Sequence, residues 1–163
     1  MTSGEVVIEP AREADLSVIL KLLSTTGLKG TGLQGHLGTT LVARQRETIV
    51  GCAALERYGA SAMLRSVAVR PGYQGQRLGR RLTEAALDLA CANGITHVYL
   101  LTDTAERFFR RQGFRHIERS EIPEVVQESE EFNMACAVTA VAMKLTLPGR
   151  RQQENNGDNS VST

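Results

Sequence analysis

The run Leu64-Arg65-Ser66-Val67-Ala68-Val69, broken at Pro71 and followed by Gln74-Gly75-Gln76-Arg77-Leu78-Gly79, constrains this chain more than any other segment. Ser66 to Val69 has the short, β-branched character of a buried strand. The glycines of the turn let a ligand approach the backbone. Leu78, Leu82, Ala85 and Leu89 then recur at helical spacing. A helix opening at this turn turns free N–H groups and its positive dipole end toward any anion placed there. Arg77, Arg80 and Arg81 add guanidinium charge, whose planar fork suits phosphate. The residues alone predict a phosphate-binding strand–turn–helix.

Composition removes several function classes. The chain has 163 residues, enough for one domain with a real core. A net charge of +1 disfavours a nucleic-acid binder or a polybasic membrane binder. Trp is absent and aromatics make up only 4%, so base-stacking platforms are also disfavoured. Cys52, Cys91 and Cys136 are odd in number and widely spaced, which argues against a disulfide framework and for a reducing compartment. No signal peptide is visible at Met1 to Glu5 and no apolar run reaches spanning length, so the expectation is a cytoplasmic protein off the membrane. His36, His97 and His116 are scattered without metal-ligand spacing, so no metal is expected.

Read along the chain, Val6 to Ile8 predicts a strand ended by Pro10, and Ala14 to Leu23 a helix. Ser24 to Gly38 carries five glycines and reads as a loop with a short helix, able to cover a pocket. Thr40–Ala43, Thr48–Glu56 and Ala62–Val69 read as strands, followed by a helix stopping at Gly94. Val98–Leu101 reads as a buried strand, Thr104–Gln112 as a helix, Pro123–Ser129 as a short helix and Ala137–Leu147 as the last strand. The expected order is strand–helix–four strands–helix–strand–helix–strand. Residues 1–147 form the domain, and 148–163 are a polar tail that cannot bury enough apolar surface to order itself.

Phe108-Phe109-Arg110-Arg111-Gln112-Gly113-Phe114 gives the strand–turn–helix its context. The turn resembles motif A of the GNAT acetyltransferases, Arg/Gln-x-x-Gly-x-Gly/Ala. Gln74 and Gly79 fit, and Arg77 stands where the family usually has its central Gly. The Phe108–Phe114 segment resembles the family's second signature, an aromatic pair followed by Gly-Phe. A narrower resemblance, to the ArsN-type acetyltransferases of arsenic-resistance operons, rests on Leu64-Arg65-Ser66, Leu100-Leu101-Thr102, Thr104-Ala105-Glu106, Phe108-Phe109 and Glu131-Phe132 with Cys136. That family's typical Cys-Pro is Cys136-Ala137 here.

The resemblance implies an α/β (α+β) GNAT fold, a central mixed and mostly antiparallel sheet of about six to seven strands flanked by helices. It implies acetyl-CoA as cosubstrate, a small amine as acceptor, arsenical detoxification as the setting, and leaves a homodimer open through the last strand as an edge. By the same resemblance Gln74, Gly75, Gln76, Arg77, Leu78, Gly79 and Arg80 meet the cofactor phosphates, with Thr104 and Phe108 nearby. Val67, Ala68 and Val69 lie along the pantetheine arm, and the Val67 N–H polarises the thioester carbonyl. Where GNAT enzymes often place a Tyr as acid, this chain has Phe109, which cannot donate a proton. Tyr99 and Ser66 are candidate donors, and direct departure of the thiolate is the other route.

If Gly59-Ala60 is a two-residue hairpin turn, Glu56 faces Met63 and lies diagonal to Arg65. Glu56 is then a candidate base for the amine, with Arg65 and Ser66 on the acceptor side; a strand-edge salt bridge is the alternative. Arginines 107, 110, 111, 115 and 119 read as a solvated face, with 107 or 110 near enough to phosphates to matter. Cys52 and Cys136 read as ordinary small residues rather than arsenic ligands. Other amines, a protein N-terminus, or a silent acyl-CoA sensor remain open alternatives.

Overall fold

The computed structural model describes residues 4–128 and 140–148. Seven strands form one mixed sheet: β1 (Val6–Pro10), β2 (Thr40–Gln45), β3 (Thr48–Tyr58), β4 (Ser61–Val69), β5 (His97–Thr102), β6 (Arg115–Ile117) and β7 (Val141–Thr146). Their spatial order is β1-β2-β3-β4-β5-β7-β6. Only β4 and β5 run parallel, because α2 (Leu78–Ala92) crosses between them. The remaining helices are α1 (Leu16–Thr25), α3 (Glu106–Arg111) and the single turn α4 (Glu124–Gln127).

Central strands read as continuous buried runs: Ile49 to Glu56 of β3 are all buried. One face packs Ala53, Leu55, Ala62 and Leu64 against Leu78, Leu82, Ala86 and Ala90 of α2. The other packs Cys52, Ala54 and Ala68 against Ile19, Leu22 and Leu23 of α1 and Leu33. The α2 stripe is therefore Leu78-Leu82-Ala86-Ala90, with the expected Ala85 and Leu89 half-buried beside it. Close approach of α2 depends on Gly51, where an added Cβ would lie 2.8 Å from Leu82 Cδ1 and 3.0 Å from the Ala68 carbonyl oxygen.

Two expectations need correction. Three strands, not four, separate α1 from α2; the strand missing from the reading is β6, whose three residues are too short to show an alternating pattern. The last strand is not an edge, because β6 pairs with its outer side; among the described residues β1 and β6 are the outermost strands. β1 ends at Pro10 as expected, and Pro10 itself pairs with Leu41, which an edge strand tolerates because one side needs no donor. The expected last strand from Ala137 begins at Val141 in the described residues, and 137–139 lie outside them.

Candidate active site

Two features of β4 create the site. Opposite Cys52–Ala54 the strand carries one extra residue, because Cys52 faces Ala68 while Ala54 faces Arg65. Ser66 sits in this bulge at φ 58°, a left-handed conformation uncommon for a residue with a Cβ. Beside it, pairing between β4 and β5 stops: Met63 faces Tyr99, and no further pair follows, although β5 continues to Thr102 against β7. The two strands splay. A cleft of about 430 Å³ opens between Leu64–Val69 and Leu100–Ala105, with Thr26–Lys29 as a third wall. Its volume lies within the range of small-molecule sites.

A second recess of about 870 Å³ continues from the cleft past Gln74, Gly75 and Arg77–Arg80 to Phe108 and Arg111. The two share Val67, Ala68, Val69, Gln74, Ala105 and Phe109, so they form one groove. The turn between β4 and α2 is built from left-handed residues: Gly72 at φ 97°, Gly75 at 84° and Arg77 at 63°. Arg77 caps α2 in the conformation a glycine adopts without strain. The Gln74 side-chain amide donates to the Val69 carbonyl at 3.2 Å, closing the turn onto the strand. Arg80 is exposed and holds Glu84 at 2.8 Å across one helical turn, an exchangeable surface pair.

Most of the residues expected around the cofactor thus line one groove. Val67, Ala68, Val69, Gln74, Gly75, Arg77, Leu78, Gly79, Arg80 and Phe108 border the second recess, and Thr104 borders the cleft. Gln76 borders neither. Gly79 lies against the Phe108 ring, where an added Cβ would make an ordinary contact at 3.5 Å. Tyr99 does not line the groove; it packs with Met63, Ile117, Ile122 and Val126, and burial pushes its hydroxyl pKa up. Phe109 lines both parts and stacks edge-on against Phe108 and Phe114.

Glu56 and Arg65 meet as the hairpin register requires, with Glu56 opposite Met63 and Tyr58 opposite Ser61 across Gly59-Ala60. Arg65 Nη1 donates to Glu56 Oε2 at 2.7 Å, and the side chains are 0% and 1% exposed. The salt bridge given as the alternative is thus formed, though inside the sheet rather than at a strand edge. Tyr58 donates its hydroxyl to Glu56 Oε1 at 2.8 Å, and His36 Nε2 stands 3.8 Å from Oε2. Arg65 Nε donates to Ser66 Oγ at 3.0 Å and Nη2 to the Lys29 carbonyl at 3.3 Å. Arg65 and Ser66 both line the cleft, with the guanidinium engaged by Glu56, Ser66 and the Lys29 carbonyl. Glu56 does not line the cleft at all.

Sequence reasoning missed Tyr58, His36 and the Lys29 carbonyl in this network. Tyr58 had a signal, because it stands two residues after Glu56 on the same strand face. The Cys52 thiol donates to the Ser66 carbonyl at 3.2 Å, is 0% exposed, and is pushed up to about 12 by burial. Cys136, Glu131 and Phe132 lie outside the described residues. Among the described residues no group of three or more His, Cys, Asp or Glu could hold a metal ion. No helix among them is long and apolar enough to cross a membrane.

Residues 36–116, from the turn before β2 to β6, match the family model of the acetyltransferase (GNAT) domain. The chain carries a GNAT acetyltransferase domain. An uncharacterized N-acetyltransferase of Chlorobaculum tepidum is 29% identical over 158 residues, 90% of this chain and 100% of the relative. The IAA acetyltransferase of Azospirillum brasilense is 36% identical over 80 residues, 45% of this chain, which spans about half (52%) of that relative. In structure, N-acetylglutamate synthase of Neisseria gonorrhoeae, complexed with coenzyme A and N-acetyl-glutamate, superposes with a TM-score of 0.76 at 22% identity. It covers 90% of this chain and 36% of its own. That likeness shows the GNAT fold; the domain and its relatives together make the chain an acyltransferase.

Proposed function

We propose that this GNAT domain transfers acetyl from acetyl-CoA to a small amine, and that it does so as an ArsN-type enzyme of arsenical resistance. The observation that carries the transfer reading is the splay of β4 from β5 beside a turn of left-handed residues at the start of α2. An exposed strand edge and a helix start share one groove, which suits an extended ligand ending in a diphosphate. Acetyl-CoA supplies an activated acetyl thioester. The N–H groups of the first turn of α2 have no intrahelical acceptor, so they and the Arg77 guanidinium are available to the diphosphate. Arg80 can exchange its exposed pair with Glu84 for phosphate.

Backbone groups of Val67–Val69 hold the pantetheine arm, and the Val67 N–H donates to the thioester oxygen. The new bond joins the acceptor nitrogen to the acetyl carbon, the carbon–sulfur bond breaks, and the proton lost by the amine passes to solvent water. With Phe109 at the acid position, sulfur leaves as thiolate, which a thiol pKa near ~8.5 permits. The groove ends on Thr26–Lys29 and Thr102–Thr104, polar walls of a compact space that favours a small acceptor over a polypeptide. Residues 1–147 supply all of this in the proposed domain, with 148–163 as its tail.

The arsenical setting rests on the Leu64-Arg65-Ser66, Leu100-Leu101-Thr102 and Phe108-Phe109 resemblance and not on thiol ligation by Cys52, which is buried and protonated. An amino-acid-like arsenical is the expected acceptor. Phe109, with no proton to give, favours a second reading as a silent acyl-CoA sensor. Mixing the protein with acetyl-CoA and a panel of amines and amino-acid arsenicals separates the two. Free thiol matched by acetylated amine supports transfer; tight binding without thiol release in any mixture supports the sensor.

A further inference from the structure

We propose that Arg65 and Glu56 are positioning residues that latch the Thr26–Lys29 wall onto the β4 bulge and thereby shape the acceptor end of the cleft. The inference rests on the acetyltransferase reading and replaces the expectation that Glu56 is the base and Arg65 an acceptor ligand. Arg65 joins three segments at once. Its Nη1 meets Glu56 of β3 at 2.7 Å, its Nε meets Ser66 Oγ in the bulge at 3.0 Å, and its Nη2 meets the Lys29 carbonyl at 3.3 Å. A flat guanidinium with fixed donor directions can hold three such partners where an ammonium cannot.

The start of this wall is tied to α1, where the Thr26 N–H and hydroxyl and the Leu28 N–H donate to the Leu22 and Leu23 carbonyls, and Arg65 takes hold one residue further on, at Lys29. Gly27, Gly30 and Gly32 break the segment after α1, and Gly27 and Gly32 are left-handed. Thr26–Lys29 line the cleft directly, opposite the place where β4 leaves β5. Glu56 anchors the guanidinium from below and is itself gripped by the Tyr58 hydroxyl at 2.8 Å. The far end of the same segment comes near it: His36 Nε2 stands 3.8 Å from Glu56 Oε2, and Thr40 Oγ1 donates to the His36 carbonyl at 2.8 Å. Both ends of the segment 26–39 thus converge on one buried carboxylate–guanidinium pair. With its carboxylate 1% exposed and already accepting from Arg65 and Tyr58, Glu56 has no open path to an amine in the cleft.

The test combines amide hydrogen exchange with steady-state kinetics on Arg65→Lys, Tyr58→Phe and Glu56→Gln. Expected first is faster exchange in the peptide spanning 26–32, by about tenfold in Arg65→Lys and less in Tyr58→Phe, measured without any acceptor. Using the amine that the wild-type enzyme acetylates best, KM for the amine rises about tenfold while acetyl-CoA affinity, from calorimetry, stays within about twofold. The pH profile of kcat/KM keeps its shape in Glu56→Gln. Loss of its acidic limb with a collapsed kcat would restore Glu56 as base and overturn the proposal. Unchanged exchange at 26–32 in both Arg65→Lys and Tyr58→Phe would overturn it too. Should Arg65→Lys fail to fold, Tyr58→Phe, which deletes one oxygen, decides by its exchange. A wild-type protein that binds acetyl-CoA but acetylates nothing would remove the transferase reading while leaving the exchange result to judge the latch.

Discussion

Arg65 and Glu56, nine residues apart in the chain, form a 2.7 Å ion pair with essentially no solvent contact, deep in the sheet beside the splay of β4 and β5. Such a pair is weak evidence for net stability, because both charges lose their water. Breaking it is a different matter. Glu56→Leu strands the guanidinium, and urea denaturation should record a loss of about 3–5 kcal/mol. The double substitution Glu56→Leu/Arg65→Met should recover most of that loss, since an apolar pair of similar volume removes the desolvation cost. A double variant as unstable as the single one would contradict this account of the pair.

Arg77 occupies a left-handed backbone position at the cap of α2. A β-branched side chain is strained there more than an unbranched one. Arg77→Val should therefore lower stability by about 1–2 kcal/mol in thermal unfolding, while Arg77→Gly should be neutral or slightly stabilising. Both lose the same charge, so acetyl-CoA affinity should fall in both. Equal thermal midpoints for the two variants would show that the turn is not under this constraint.

Much of the site was legible because its logic is local. A two-residue turn at Gly59-Ala60 and a period of two place Glu56 beside Arg65 with no further information. The glycines and the switch from strand to helix likewise locate the turn at 74–79. The bulge at Ser66 left no such trace, because a serine at positive φ has no sequence signature and is held by its surroundings. The splay of β4 from β5 is a relationship between strands separated by a whole helix, so no window of sequence contains it. The turn from Leu33 to Thr39 supplies the short helix expected among the loop glycines, but no sequence pattern places its His36 near Glu56. The Lys29 carbonyl as a partner of Arg65 was not legible for the same reason: it belongs to the main chain of that loop.

The Cys52 thiol, pushed up from 9.0 to about 12 by burial, stays protonated in the folded protein where the unfolded chain ionises. Folding therefore retains a proton that the unfolded state loses. This contribution is complete below about pH 9 and declines as pH rises toward 12, with a slope of at most about 1.4 kcal/mol per pH unit. Urea titrations across that range should show Cys52→Ala with a shallower alkaline decline than wild type. At about pH 8, iodoacetamide followed by mass spectrometry should modify the half-buried Cys91 well before Cys52. Prompt labelling of Cys52 would contradict the buried thiol.

At the start of α1, Asp15 accepts from Arg44 Nη2 at 2.8 Å and from the Arg12 N–H at 2.9 Å. The Arg44 hydrogen bond leads in holding the Asp15 carboxyl below its usual value of 3.8. A depressed folded value means stability present above the unfolded pKa and lost as pH falls through the folded one. Asp15→Asn should therefore flatten the acid limb of the stability curve, relative to wild type, below about pH 4. Identical acid limbs would remove Asp15 from that role.

The central claim is that the groove running from the splayed strands to the start of α2 holds the acetyl donor. A crystal structure of the full chain with coenzyme A tests it most directly. The account predicts the pantetheine arm alongside Val67–Val69 and the diphosphate at the amides of residues 75–80, with the Arg77 side chain turned aside. Coenzyme A bound elsewhere, or a groove closed by Arg77 at saturating ligand, would contradict it.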